Sequence, residues 1–392
     1  MTRCSRALAL LGIGIAVSWP TLVVAQSVRG TVLESVQGSP IPGTFVVLLD
    51  EEGTERGRAL TTQAGTYRIG VPGPGSYRLK VRRIGLADVT TDLFIVGDGE
   101  AVSRQIRVSL APVRLTDLEV MVETESKCGM LQEDALALYS VWEEARKALE
   151  ATFWTGQQTY YRFDALLSRR DLDRGGIQIG ETELESIRVY GRHPFRSARA
   201  DDLAHGGWVR PTGAGGVKFH APDAEVLLSE SFSSRHCYRL QREIIDGHKH
   251  IGVQFEPLPG RRLPDISGVL WIDLETAELR TLDFRYEVLN VPFNTDQLGG
   301  HVEFDRLPDG AWIVRRWIIR TPVTQFTGTR SFSGRRSGAN IRLVGLYEEG
   351  QEVTAVWRTG DLQAGPGNEQ PEDVPPVNAP TDRLIIRFPV GD

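Results

Sequence analysis

The sequence lacks most of the features that mark a catalytic or membrane-spanning chain. It has only three cysteines among 392 residues, so neither a clustered cysteine metal site nor a disulfide-rich framework is expected. It contains no Gly-x-Ser-x-Gly turn of serine hydrolases, no phosphate-binding glycine loop and no His-Glu-x-x-His zinc motif. Beyond residue 25, no apolar run is long enough to cross a bilayer as a helix. We therefore predict a protein with no catalytic residues and no cofactor, which is not an enzyme.

The first 25 residues have the composition of a secretory signal peptide. Arg3 and Arg6 form a basic start, residues 7–17 form an apolar core, and residues 23–25 are small enough to precede a cleavage site. An uncleaved membrane anchor is the alternative, but the apolar run is short and is interrupted at residues 18–20. We predict export, with the mature chain periplasmic or associated with the outer membrane.

The charge balance argues against nucleic acid as a partner. The formal net charge of the whole chain is −6. Removing residues 1–25 takes away two arginines and no acids, which leaves 43 basic and 51 acidic residues and a net charge of −8. Phosphate backbones are attracted to basic surfaces, so an acidic chain of this kind is not expected to bind them.

Two cysteines remain once the predicted signal has been removed. Cys4 leaves with the signal, so Cys128 and Cys237 are an even pair in an oxidising compartment, and we predict a disulfide between them. Closing so long a loop would stabilise the folded chain by roughly 4 to 5 kcal/mol on the chain-entropy model. The alternative is two unpaired buried thiols.

Residues 26–112 carry short strand patterns separated by turns rich in glycine and proline. Seven such patterns and the absence of a helical period predict a small β-sandwich. Thr66–Gly70 and Ser76–Val81 both alternate apolar and polar residues, and Val71-Pro-Gly-Pro-Gly75 lies between them. Because that spacer is a strong turn sequence, these two strands are predicted to form a hairpin.

The residues of this segment resemble a known domain family. Gly38-Ser-Pro-Ile-Pro-Gly43, Thr62-Gln-Ala-Gly-Thr-Tyr67 and Pro74-Gly-Ser-Tyr-Arg-Leu79 are similar to the carboxypeptidase regulatory-like domain, which has a transthyretin-like fold. In that family the turn usually reads Thr-Asp-x-x-Gly-x-Tyr, and here Thr62 stands where the acid is found. The resemblance implies attachment or contact rather than turnover.

The hydrophobic period changes in residues 113–152, which are predicted to be a linker and a helix. From residue 131 to 152 the apolar side chains recur three or four apart, including Leu138, Trp142 and Leu149. Such a helix buries one face, so it is expected to lie against a sheet.

The rest of the chain is predicted to be a larger β-rich domain followed by a tail. Residues 153–358 carry further strand patterns, which predict a curved antiparallel sheet. Residues 359–382 are proline-rich and acidic, as in an extended linker, and residues 383–392 form a terminal strand or tail. Ile251-Gly-Val-Gln-Phe-Glu-Pro257 and Asp265-Ile-Ser-Gly-Val-Leu-Trp-Ile-Asp273, together with Glu225-Val-Leu-Leu-Ser229, Phe232 and His236-Cys-Tyr238, resemble an uncharacterised class of exported bacterial proteins in which a carboxypeptidase regulatory-like domain precedes a β-rich domain. The hairpin Gly268-Val-Leu-Trp-Ile-Asp273 also resembles a repeat of the half-barrels that carry lipoproteins across the periplasm.

Candidate binding residues are few. Large aromatics in a curved sheet either fill a core or line a cavity, and Trp208, Trp271, Tyr286 and Trp312 are the candidates for ligand contact. His248 and His250 would share one face of a strand and are the candidates for a metal ion, although the chain as a whole gives no clear metal motif.

The sequence favours a non-catalytic binding or structural protein of the cell envelope, with the fold class mainly β. Its expected partners are an envelope protein or a small apolar or glycan ligand. Two alternatives stay open: an outer-membrane β-barrel preceded by a sandwich domain, and a secreted hydrolase of peptidase or glycosidase type.

Overall fold

The computed structural model describes residues 26–109, 115, 132–158, 160–190, 196–212, 216–327, 340–359 and 382–388. The predicted signal peptide, Cys128 and almost all of the proline-rich segment lie outside these residues. No helix in the described part of the chain has the length and apolarity needed to cross a membrane.

Eight strands form the N-terminal sandwich. They are β1 (Ser27–Glu34), β2 (Phe45–Asp50), β3 (Glu55–Leu60), β4 (Thr66–Gly70), β5 (Gly75–Arg82), β6 (Val89–Thr90), β7 (Phe94–Val96) and β8 (Ala101–Val108). One sheet has the order β4-β1-β8, and the other has the order β3-β2-β5-β6 with β7 also paired to β5. Alternate side chains from the two sheets meet in a shared core, as the resemblance to a transthyretin-like sandwich implies.

The predicted hairpin in the middle of this domain is wrong. β4 pairs with β1 and β5 pairs with β2, so the two strands belong to opposite sheets. Tyr67 and Ile69 on β4 face Tyr77 and Leu79 on β5 across the sandwich core. Residues 71–74 therefore cross between the sheets, and the Tyr77 hydroxyl donates to the Gly73 carbonyl oxygen at 2.9 Å to hold the crossing.

The turn before β4 keeps a polar cap without the acid that is usual in the family. The Thr62 hydroxyl lies 2.7 Å from the Thr66 hydroxyl and 3.3 Å from the Thr66 backbone nitrogen, which donates to it. Gly65 has φ of +69°, and a Cβ there would lie 2.7 Å from the Val32 carbonyl oxygen. Glycine is therefore required at this position for two reasons.

The described residues of the second part of the chain form four helices and twelve strands. The helices are α1 (Gln132–Gly156), α2 (Ala200–Gly206), α3 (Ala224–Leu228) and α4 (Glu230–Ser233). The strands are β9 (Tyr161–Leu172), β10 (Gln178–Tyr190), β11 (Val209–Pro211), β12 (Val217–Phe219), β13 (His236–Ile245), β14 (His248–Pro257), β15 (Asp265–Asp273), β16 (Leu279–Glu287), β17 (Gly299–Arg306), β18 (Trp312–Thr327), β19 (Asn340–Thr359) and β20 (Asp382–Arg387).

A ten-stranded antiparallel sheet dominates this region. Its order is β10-β9-β19-β18-β17-β16-β15-β14-β13, and β20 pairs with β19 beside this path. β11 and β12 form a separate two-stranded sheet. The predicted fold class, a sandwich followed by a helix and a larger curved antiparallel sheet, is confirmed.

Helix α1 covers one face of the large sheet, which we call the filled face. Val141, Ala145 and Leu149 of the helix are completely buried in one apolar cluster with Leu270 and Leu282 of the sheet. The helix runs four residues beyond the predicted end, because Trp154 packs edge-on against Phe45 of the sandwich with ring centroids 5.5 Å apart. The same core therefore includes residues of both regions.

Charged side chains also join the sandwich to α1. Arg82 of β5 donates to Glu150 at 2.6 Å and to Glu143 at 3.3 Å. The Gly85 backbone nitrogen donates to Glu144 at 2.6 Å, Lys147 donates to the Leu86 carbonyl oxygen at 2.8 Å, and burial raises the pKa of the Glu144 carboxyl. These buried pairs fix the helix in register on the sandwich, since an uncompensated partner would be costly.

The sandwich also abuts the turn between β17 and β18. Gly43 and Gly310 approach so closely that a Cβ on Gly310 would lie 2.2 Å from the Gly43 Cα. Tyr161 donates to Asp309 at 2.7 Å within this turn, which orders the surface that the sandwich meets.

Candidate ligand-binding groove

The large sheet sends alternate side chains to its two faces. On β15, Leu270 and Ile272 enter the filled core, so Val269 and Trp271 point to the opposite side. Among the described residues, the groove on that side is lined by strand and loop residues alone, and we call this side the helix-free face.

Strand register orders the side chains of the helix-free face into rows. Three rows run across the four consecutive strands β15, β16, β17 and β18. They are Ser267, Arg285, Gly299 and Arg320; Val269, Asp283, His301 and Ile318; and Trp271, Thr281, Glu303 and Arg316. Neighbours within a row lie close enough to interact directly. The rows are therefore polar in the middle of the sheet.

A chain of hydrogen bonds links four side chains of these rows. Trp271 Nε1 donates to Asp283 Oδ2 at 3.1 Å, and His301 Nδ1 contacts Asp283 Oδ1 at 2.6 Å. His301 Nε2 lies 3.5 Å from Glu303 Oε1. Asp283 thus receives a donor on each oxygen and holds the Trp271 indole against the sheet.

The carboxylates around His301 keep its ring charged at neutral pH. The hydrogen bond to Asp283, reinforced by Glu303, raises the pKa of His301 to about 9. The contact between His301 and Glu303 lowers the pKa of Glu303, and the nearby charge of Arg316 adds to the effect. Both residues are ionised under ordinary conditions, so the centre of this face presents fixed charges.

An open groove of about 760 Å³ lies on this face. Its floor includes Gln241, Gln254, Ser267 and Trp271, and Asp296 and Gln297 form one end. The Gln297 side-chain amide donates to the Arg174 carbonyl oxygen at 3.4 Å, so the loop before β17 and the turn between β9 and β10 meet at that end. A groove of this volume is large enough for a small ligand.

Of the four aromatic ligand candidates, only Trp271 lines this groove. Trp208, Tyr286 and Trp312 are each 2% exposed and belong to the filled core. Trp208 packs on Phe232 with centroids 6.1 Å apart, and Tyr286 packs on Phe219 at 5.0 Å. Their role in the structure is packing.

The two metal candidates lie two residues apart at the start of β14, which is next to the edge strand β13. His250 Nδ1 donates to the His248 carbonyl oxygen at 3.0 Å, and His250 is buried whereas His248 is exposed. Within the described ranges, no group of three or more histidine, cysteine or acidic side chains is placed to hold a metal ion.

Cys237 is buried at the start of β13. Its predicted partner Cys128 lies outside the described residues, so the disulfide stays a prediction.

The groove contains several residues that the sequence did not single out. His301, Arg285 and Gly299 carry no motif, and they come together only through the pairing of β16 with β17. The available signal was alternation: Asp283 and Arg285, and likewise His301 and Glu303, are two residues apart on adjacent strands.

The N-terminal sandwich belongs to a recognised domain class. Residues 27–110 match the family model of the carboxypeptidase regulatory-like domain, and they include all eight sandwich strands. This confirms the resemblance seen in the sequence. No curated protein matches the chain.

Solved structures show only distant likeness. A DUF1329 family protein from Desulfovibrio piger is 12% identical, with 59% of this chain and 95% of that chain covered and a TM-score of 0.28. A LolA superfamily protein from Nitrosomonas europaea is also 12% identical, with 57% and 94% covered and a TM-score of 0.26. Scores this low carry no argument about function, so the function is argued below from the residues of this chain.

Proposed function

We propose that this protein is an exported envelope protein that binds a polar ligand of glycan type, without turnover, in the groove of the helix-free face. One observation carries the proposal. The large sheet is packed solid on its filled face, whereas the opposite face has a polar groove of about 760 Å³.

The contrast between the faces favours a glycan over an apolar ligand. An apolar molecule would need an unfilled cavity lined by aromatics, but Trp208, Tyr286 and Trp312 are all buried in the core. The groove instead offers the amides of Gln241 and Gln254, which can donate to and accept from sugar hydroxyls.

Binding without turnover fits the side chains of the groove. The Ser267 hydroxyl donates to Glu287 at 2.7 Å rather than to a histidine, and Asp283 is occupied by Trp271 and His301. A serine nucleophile requires an adjacent base oriented by a third group. The Asp283 and His301 pair therefore acts as a brace for Trp271.

A glycan panel tests this proposal. The mature chain would be screened by calorimetry against soluble neutral and acidic oligosaccharides, with Gln241→Ala and Gln254→Ala as groove variants. Gln105→Ala, at an exposed position on β8, is the matched control. We expect binding that weakens about tenfold or more in each groove variant, which corresponds to about 1.4 kcal/mol, and is unchanged in the control.

Three outcomes would overturn the proposal. They are no binding by any glycan, equal binding by the groove variants, and release of a cleaved sugar product on prolonged incubation. The third would show turnover and favour the hydrolase alternative.

Export and the disulfide have separate tests. We infer that residues 1–25 are removed on export and that Cys128 pairs with Cys237. The protein recovered from a periplasmic extract is then expected to begin at Gln26 and to carry no alkylated thiol until reductant is added. A chain that retains residues 1–25 argues against the first inference, and two alkylated thiols without reductant argue against the second.

A further inference from the structure

The proposed groove has a cationic end. Arg285 on β16 and Arg320 on β18 occupy the same cross-strand row, with Gly299 of β17 between them. Because adjacent strands are spaced by roughly 4.8 Å, the two arginine Cα atoms lie about 10 Å apart. His301, two residues after Gly299 on β17, is paired with Asp283 and Glu303, so the positive charge of this end comes from the two arginines.

Arg285 differs from its neighbours because its charge is not neutralised. It is exposed, and its side chain forms no ion pair or hydrogen bond with any residue in the described part of the chain. Asp283, two residues before it, is already committed to Trp271 and His301. The guanidinium of Arg285 is therefore available to a ligand with all of its donors.

The charge of Arg320 is only partly compensated. It contacts Glu348, but Arg170 donates to the same carboxylate at 2.6 Å, so one negative group serves two guanidiniums. An anion placed beside Arg320 would complete the pairing. Arginine suits this role because its planar fork matches carboxylate and sulfate oxygens.

Gly299 leaves the space between the two arginines open. Its φ is +157°, and a Cβ at this position would lie 2.0 Å from the Phe284 carbonyl oxygen, so no other residue fits there. The row consequently has a gap at the point where the two guanidiniums can reach from either side.

The charges that line the groove set the orientation of a ligand. Glu243 lies on edge strand β13, on the opposite side of the groove from Arg320. An anionic group is therefore favoured over Gly299, between the two arginines, and disfavoured near Glu243. The hydroxyl-bearing remainder of the ligand would then extend towards Gln241 and Gln254.

We propose that the groove selects acidic glycans, whose carboxylate or sulfate group is held by Arg285 and Arg320 over Gly299. This inference rests on the proposed function, because it names the class of glycan that the same groove takes. The shared chemistry is a sugar-borne oxyanion, and its source is decided by experiment.

The test compares matched acidic and neutral sugars. The probes are tetragalacturonic acid, its fully methyl-esterified form, a sulfated tetrasaccharide and neutral cellotetraose. We expect at least one of the two acidic probes to bind ten times more tightly than its neutral counterpart, with an affinity that falls as salt is raised. Whichever acidic probe binds identifies the oxyanion as carboxylate or sulfate.

Substitutions at Arg285 assign the effect. Arg285→Met keeps the aliphatic stem and is expected to abolish the preference for the acidic sugar, and Arg285→Lys is expected to restore part of it. Arg68→Met changes an exposed arginine of β4 and serves as the matched control. Unfolding midpoints in urea would confirm that each variant is folded.

The failures of the two proposals can be told apart. Neutral and acidic probes that bind equally, with both weakened by Gln254→Ala, would refute the acidic preference and leave the glycan groove standing. Neutral probes binding better than acidic ones, or a preference that survives in Arg285→Met, would also refute it. If no probe and no glycan of the wider panel binds, both proposals are wrong.

Discussion

The two faces of the ten-stranded sheet are built from alternate residues of the same strands, yet one face is a packed core and the other forms an open groove. On β15, Leu270 and Ile272 are fully buried under helix α1, whereas Ser267 and Val269 border an open polar groove. The filled face supplies the apolar burial that stabilises the fold. The helix-free face buries less apolar surface, so its residues are less constrained by folding stability and can serve ligand binding.

The same contrast explains where the aromatic residues lie. Tryptophan and tyrosine side chains on the filled side are surrounded by aliphatic and aromatic neighbours. Trp271, on the other side, is anchored through its indole N–H to a carboxylate. A fixed polar anchor keeps this large side chain in one position at the floor of a solvated surface.

Truncation on the filled face should have the largest effect. Leu270→Ala is expected to lower the free energy of unfolding by about 3 kcal/mol, because it removes buried contacts and leaves a cavity. The adjacent Val269→Ala, on the helix-free face, should cost less than about 1 kcal/mol. Urea unfolding of both variants measures the difference, and similar losses would contradict the division of the sheet into two faces.

The junction with the sandwich should show the next largest effect. Gly310 and Gly53 have nearly equal φ values of +88° and +82°, but only a Cβ at Gly310 would strike another backbone. Gly310→Ala is therefore expected to cost about 1 to 3 kcal/mol more than Gly53→Ala, which shares the backbone strain but has open space around it. Equal losses in thermal or urea unfolding would mean that the junction adds nothing to stability.

The smallest expected effect concerns the charge of His301 on the helix-free face. Its pKa is raised from the ordinary value of 6.5 to about 9, so its stabilising contribution is complete below about pH 6.5 and is lost as the pH rises through about 9. The side chain is 37% exposed, and water screens the pair, so the loss should stay below about 1 kcal/mol.

Urea unfolding at pH 6 and at pH 9.5 tests this expectation. The wild-type protein should lose more stability between these values than His301→Gln, whose side chain cannot be charged. The same pH dependence in both proteins would place the titrating group elsewhere.

Much of the fold could be predicted because its signals are local. Turn glycines such as Gly65 and the strand alternation around them identified the sandwich, and the spacing of Leu138, Trp142 and Leu149 identified α1. The hairpin between Gly268 and Glu278 also forms as predicted, as β15 paired with β16.

The wrong hairpin shows the limit of such signals. Residues 71–75 have a turn sequence, but a turn can return a chain to the same sheet or carry it to the facing one. β4 and β5 each bury one side against the same core, and this pattern is identical in both arrangements. Pairing with strands distant in sequence decides between the two arrangements, since β4 pairs with β1 and β5 pairs with β2.

The groove was less predictable, because it depends on register across several strands. Asp283, Arg285 and His301 look like ordinary polar positions of solvated strands when the sequence is read alone. They become a site only when β16 and β17 pair with Asp283 opposite His301. A one-residue shift in that pairing would send the same side chains to the other face.

The junction of Gly43 with Gly310, together with the Arg82 contacts on α1, also fixes the position of the sandwich relative to the groove. The sandwich contacts helix α1 on the filled face and the turn after β17, while the groove opens on the opposite face of the sheet. If a partner surface binds the sandwich, the orientation of the groove relative to that surface is therefore fixed as well.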